Sequence, residues 1–266
     1  MKCIEGSVIS RDGTSIGYQR WGQGPALVVC HGAFTQASDW ATFARQLAAS
    51  HTVYLYDRRG RGSSPYGDAP YSLDAELDDL AAMVTLAGAG AAVLGHSFGG
   101  GCALMQALRD GFDGTLVLYE PINSLPRPAT GEHYPQLQAL VAQGELEAAT
   151  VHALRHVVRM PAAQVEQMKH IPLWPAMVST VPAFVNEAAA LDTIKPSVAD
   201  ARRLKARPFL LVGEISEHDP CLTCAAALVD RLRGLTLYTL PRQGHAAYLT
   251  DPVLLARVVT RCLNAE

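Results

Sequence analysis

The alternation of short apolar runs with longer amphipathic stretches limits this chain more than any other feature. Ala26-Leu27-Val28-Val29-Cys30, Thr52-Val53-Tyr54-Leu55-Tyr56, Ala91-Ala92-Val93-Leu94 and Thr115-Leu116-Val117-Leu118-Tyr119 are each nearly unbroken hydrophobic segments. Runs this short suit strands better than helices, and a strand without polar alternation must be covered on both faces. Helical patterns fill the gaps at Asp39 to Ala49, Ser72 to Ala87 and Gly100 to Arg109. Ser72 supplies an N-cap for the second of these, and Glu76, Asp78 and Asp79 place acid in its early turns, where the helix dipole favours it. Strand–helix alternation predicts a mostly parallel sheet flanked by helices, since parallel neighbours need crossovers that land on the faces. Upstream, the Asp12-Gly13 turn inside Val8 to Tyr18 predicts a hairpin.

After Leu125 the rhythm breaks. Up to Lys195 the patterns are helical only, at Gln136 to Gln143, Leu146 to Arg159 and Ala162 to His170. Strand-like runs resume at Pro208-Phe209-Leu210-Leu211-Val212 and Thr236-Leu237-Tyr238-Thr239-Leu240, with helices at Ala225 to Leu232 and Pro252 to Leu263. The expected organisation is one α/β core from residues 1–124 and 196–266, interrupted by a helical cap at 125–195.

Composition removes several function classes. A hydrophobic share of 49% in 266 residues excludes a disordered chain. Lys plus Arg number 22 against 25 Asp plus Glu, so the net charge of −3 offers no concentrated basic face for nucleic acid. No stretch reaches the roughly 20 apolar residues of a membrane span. Met1 to Gly6 carries no apolar run behind Lys2, so no signal peptide is expected and a cytoplasmic location is. The six cysteines are too scattered for a disulfide framework. Cys30 and Cys102 read as small buried hydrophobes, and Cys221-Leu222-Thr223-Cys224 lacks the second pair that a zinc site would need.

Gly95-His96-Ser97-Phe98-Gly99 carries the chemistry. It matches G-x-S-x-G, and it follows a strand ending at Leu94 and precedes a helix. That context places Ser97 on a sharp strand-to-helix turn, its hydroxyl in the open and a helix N-terminus facing any developing negative charge.

With these residues the chain resembles the α/β-hydrolase family, over about residues 3–124 and 205–266. The resemblance implies an eight-stranded type of sheet with a helical cap. It also implies that the backbone N–H groups of Ala33, in His31-Gly32-Ala33-Phe34, and of Phe98 form an oxyanion hole, with His31 itself structural. Asp57-Arg58-Arg59-Gly60-Arg61 matches a loop whose charged residues organise neighbouring loops in such proteins. His245, in Gly244-His245-Ala246-Ala247 after the last strand, stands at the family's general base. The acid departs from the commonest pattern. Three residues past Gly213 stands Ser216, which cannot carry charge, so the candidates become Glu120, directly after Tyr119, and Asp219 as the fallback. Glu120 is favoured because a carboxylate at a strand's C-terminal end faces the active edge.

The expected activity is cofactor-independent hydrolysis of small carboxylic esters or related acyl compounds, on a partly apolar small-molecule substrate. The alternatives are a cofactor-free lyase, perhydrolase or oxygenase on the same fold, and a non-catalytic small-molecule-binding module. No metal is expected: His152 and His156 share a helix face, but no Glu follows His152 in an H-E-x-x-H pattern and the sequence offers no third ligand. Gly88-Ala89-Gly90 precedes a strand instead of following one, which excludes the dinucleotide fingerprint.

Overall fold

A computed structural model describes residues 2–125, 127–216 and 221–265, and of Cys221 the backbone alone. Eight strands, β1 (Ile4–Ile9), β2 (Ser15–Trp21), β3 (Ala26–Cys30), β4 (Thr52–Tyr56), β5 (Ala92–His96), β6 (Thr115–Tyr119), β7 (Arg207–Gly213) and β8 (Thr236–Leu240), make one sheet in the order β1-β2-β4-β3-β5-β6-β7-β8. The first two pair antiparallel as the expected hairpin, β2 also runs antiparallel to β4, and every later pair is parallel. Val28, Val93, Leu116 and Leu210 point to one face and Val29, Leu94, Val117 and Leu211 to the other, all buried. The unbroken apolar runs are the direct record of that two-sided cover.

Helices α1 (Ala41–Leu47), α2 (Leu73–Ala87) and α3 (Phe98–Asp110) are the first three crossovers, and the Ser72 hydroxyl caps α2 by accepting from the Ala75 N–H at 3.2 Å. Between β6 and β7 come α4 (Tyr134–Ala142), α5 (Leu146–His152), α6 (Ala162–Met168), α7 (Trp174–Leu191) and α8 (Val198–Arg203), with a π-helical segment over Ala153–Val157. Then follow α9 (Cys221–Val229), α10 (Ala247–Thr250) and α11 (Pro252–Leu263). Helix α7 falls in the stretch expected to be helical only, but beyond the three segments named there. Pro175 lies in the first turn, where no intrahelical N–H is needed, and α7 continues through Pro182. The buried residues Met177, Val181, Phe184, Ala188 and Leu191 are a helical stripe that burial holds together despite the proline.

The C-terminal ends of the parallel strands align in register. Cys30 pairs with Gly95, His96 with Tyr119, Tyr119 with Leu211 and Gly213 with Leu240. The loops that follow β3, β5, β6, β7 and β8 therefore emerge along one edge, where open α/β sheets bind their ligands. Among the described residues no helix is long and apolar enough to cross a membrane.

Candidate active site

Ser97 joins β5 to α3 with φ 54° and ψ −123°, a conformation that a side chain rarely adopts and that costs about 1–3 kcal/mol. Its own backbone holds it there. The Ser97 N–H donates to the Tyr119 carbonyl at 3.1 Å, and its carbonyl accepts from Gly100, Gly101 and Ile122 at 3.0, 3.1 and 3.0 Å. Glycine at 99 is a matter of space, since a Cβ there would lie 2.3 Å from the carbonyl oxygens of Cys30 and His31. Helix α3 begins at Phe98, two residues earlier than the periodicity suggested, so Phe98 holds one of the first N–H groups that a helix leaves unsatisfied.

Glu120 follows β6 with φ 41° and is fully buried. Its N–H extends the β6–β7 ladder by donating to the Leu211 carbonyl at 3.0 Å. Its two carboxylate oxygens have different partners. Oε1 accepts from the Gly213 N–H at 2.7 Å and, at short range, from the Ser216 hydroxyl, while Oε2 faces His245 Nδ1 at 2.6 Å. Burial pushes the carboxyl up, but the His245 ring, Ser216 and Gly213 outweigh it and hold the group below its ordinary range. The favoured carboxylate thus meets the histidine directly; Asp219 lies outside the described residues.

His245 is held from its other side as well. The Tyr119 hydroxyl donates to the Gly244 carbonyl and accepts from the Ala247 N–H at 3.0 Å, pinning the loop on both flanks of the histidine. His96 Nε2–H donates to the His245 carbonyl at 2.9 Å. Burial, and then the neighbouring His245, keep the His96 ring well below its ordinary range, so it is a neutral donor. Tyr119, His96 and Ser216 are contributors that the motif reading missed. Only Ser216 left a signal, by standing where the counted acid was absent.

On the opposite side, Ala33 and Phe34 turn beside Ser97, with Phe34 at φ 58°. A Cβ on Gly32 would come within 2.9 Å of Ser97 Cβ, which shows how close the two loops run. His31 behaves as a structural residue: Nε2 accepts from the Arg58 N–H at 3.1 Å and Nδ1 lies 2.9 Å from the Gly32 carbonyl. The Asp57 carboxylate accepts from the Ala37 and Ser63 N–H groups at 2.9 and 3.0 Å, and Arg59 clasps Asp79 with two nitrogens at 2.7 and 2.6 Å. The charged loop therefore organises its neighbours.

Two cavities open from Ser97 and His245, and both also touch Ala33. One of about 40 Å³ runs between Phe98, Ile122, Phe184 and Leu191. The other, of about 270 Å³, runs under Met160, Met168, Leu173, Met177 and Leu249. The helices between β6 and β7 cover the serine, which is 9% exposed instead of standing in open solvent. His152 and His156 gain a third neighbour in His133, with ring centres 4.6–5.9 Å apart. His152 Nε2 is 3.0 Å from the His133 carbonyl, and among the described residues no three His, Cys, Asp or Glu side chains are arranged to hold a metal. Cys30 and Cys102 are buried, and the side chain of Cys221 lies outside the described residues.

A model of the alpha/beta hydrolase family matches residues 27–258, and the chain belongs to that family. A bifunctional esterase/perhydrolase of Acinetobacter calcoaceticus is 37% identical over 100 residues, 36% of each chain. An N-formylmaleamate deformylase of Pseudomonas putida is 34% identical over 128 residues, 46% of this chain and 47% of that protein. The chain thus matches about a third to a half of the length of these relatives. Among solved structures, an alpha/beta hydrolase from Sphaerobacter thermophilus is similar with a TM-score of 0.88 at 30% identity, covering 97% of this chain and 100% of that one.

Proposed function

We propose that the protein is a serine hydrolase of small, partly apolar carboxylic esters or related acyl compounds, working through Ser97, His245 and Glu120. The observation that carries this reading is the 2.6 Å contact of Glu120 Oε2 with His245 Nδ1, beside a serine held on a strained turn. His245 removes the Ser97 proton as Oγ bonds to the acyl carbon. The N–H groups of Ala33 and Phe98 hold the oxyanion. When the carbon–oxygen bond to the leaving alcohol breaks, His245 returns the proton to that oxygen, and water then splits the acyl-enzyme by the same route. Buried Glu120 stays ionised and stabilises the imidazolium. Residues 125–195 act as the cap that closes the site over its substrate.

The test is a fluorophosphonate probe on folded protein, with peptide mapping. It should modify Ser97, and Ser97→Ala should lose both labelling and about 10⁴-fold or more in kcat on p-nitrophenyl acetate, with an unchanged circular dichroism spectrum. Labelling elsewhere, or wild-type turnover by the variant, sinks the reading. The likeness to an esterase/perhydrolase favours a second outcome at the same acyl-enzyme, in which hydrogen peroxide replaces water and releases a peracid. Peracid formation during ester turnover in peroxide would register it.

A further inference from the structure

The two cavities are unequal, and chemistry decides which half of an ester each receives. This rests on the hydrolase reading above. A tetrahedral acyl carbon at Ser97 has its oxyanion toward the Ala33 and Phe98 N–H groups. Its leaving oxygen must lie against the His245 ring, which has to protonate it, and the acyl chain takes the remaining direction. The larger cavity continues along the histidine's own loop, touching Ala246, Tyr248 and Leu249. The smaller one touches none of these and is bounded by Phe98 and the aliphatic wall of Ile122 and Leu191. Side determines role: the large cavity lies on the leaving-group side and the small one on the acyl side.

Size then sets the substrate. One water needs roughly 10–15 Å³ of such space. The acyl side, at about 40 Å³, therefore has room for a few heavy atoms, and the leaving-group side, at about 270 Å³, takes a chain or ring several times larger. Charge narrows it further. Among the described residues, neither cavity is lined by Asp, Glu, Lys or Arg, so nothing is placed to replace the water around an ionised group. The larger wall is mostly apolar, with Met160, Met168 and Met177 able to conform to irregular shapes. We propose that the enzyme selects uncharged esters with a short acyl group, of acetyl size, and a large apolar alcohol.

Heptyl acetate and methyl octanoate test this without altering the protein. They are isomers with the same atoms and similar hydrophobicity, and they differ in which side of the ester holds the seven-carbon chain. Each buried methylene is worth roughly fourfold in binding. The expected kcat/KM for heptyl acetate exceeds that for methyl octanoate by about 100-fold or more. Ile122→Ala, which lengthens the small cavity, should narrow the ratio by raising methyl octanoate. A third ester, 6-acetoxyhexanoate at neutral pH, should fall at least about tenfold below hexyl acetate, because its carboxylate loses water with no cation to meet it. Equal rates for the isomers, or a preference for methyl octanoate, overturn the assignment of the cavities while leaving the hydrolase reading intact. Equal rates for 6-acetoxyhexanoate and hexyl acetate overturn the neutrality. Turnover of no ester at all overturns the hydrolase reading and the assignment with it.

Discussion

The sheet edge and the helical segment between β6 and β7 meet at Ser97, and they are held by different forces. Along the edge, backbone hydrogen bonds fix the candidate groups: Ser97 and Glu120 each extend or brace a strand ladder, and a backbone N–H of Gly213 orients the carboxylate. The helices over them are held by side-chain packing, through a separate cluster that includes Leu137, Leu154, Val165, Met177 and Phe184. Ladder geometry leaves little choice, because register dictates where each residue goes. Packing of this kind tolerates substitution as long as volume is kept. The difference implies that chemistry is rigid here and selectivity adjustable. Changes to Ser97, His245 or Glu120 at the edge should nearly abolish turnover, whereas changes in the helices should redirect it or loosen the fold.

The largest test strikes the edge. Glu120→Gln preserves shape and the Gly213 contact but removes the charge, and it leaves His245 without the carboxylate that orients it. A loss of about 10⁴-fold in kcat is expected, with KM little changed. Asp219→Asn should change kcat little. The reverse ranking, in folded variants, would hand the role to Asp219 and break the link between ladder position and chemistry.

The next strikes the joint between the regions. Glu187 of α7 makes close ion pairs with both Arg58 and Arg61, all three buried, and the Arg58 guanidinium lies 4.6 Å from the centre of the Phe98 ring. Glu76 is a further carboxylate at 3.9 Å from Arg58. Glu187→Gln leaves two buried cations short of one charge, at a cost of about 3–5 kcal/mol read from urea unfolding. A change below about 1 kcal/mol would mean that the apolar cluster alone seats the helices.

Acidification should affect the edge before it affects the fold. His245 must be neutral to take the Ser97 proton, so kcat/KM should fall on acidification as the imidazole takes a proton of its own. Glu120, held below its ordinary range, stays ionised throughout. One protonation should therefore govern the profile between pH 8 and pH 5. A second inflection in that range would place the carboxyl higher than its partners imply, and a flat profile with chemistry rate-limiting would remove His245 from the mechanism.

The same contrast explains what was legible in the sequence. The apolar runs marked six of the eight strand positions, and the hairpin turn located the other two, because two-sided burial writes directly into composition. Ser97, His245 and Glu120 could be proposed from their places after strands, since the backbone carries them to the edge. Ser216 was met only as a missing acid. The tie of Glu187 to arginines 126 and 129 residues upstream had no local mark. Helix α7 was not among the named segments, although its buried stripe has helical spacing.

The smallest effect concerns Ser216, three residues past the end of β7, where a carboxylate was sought. Its hydroxyl and the Gly213 N–H both donate to Glu120 Oε1, which leaves Oε2 to His245. Ser216→Ala removes one donor and keeps the other, so kcat should fall by about tenfold or less, and Ser216→Thr, which keeps the hydroxyl, should restore most of it. Stability supplies a reading that simple packing would not give. Glu120 is depressed in the folded protein, so its contribution is present above the unfolded value of about 4.3 and is lost as pH falls through the lower folded value. Removing a donor raises the folded value toward the unfolded one and shrinks that contribution. The stability gap between wild type and Ser216→Ala should therefore be constant above about pH 5 and close as the carboxyl protonates. A gap that does not close as the carboxyl protonates would make Ser216 a packing residue and leave Gly213 as the group that orients the acid.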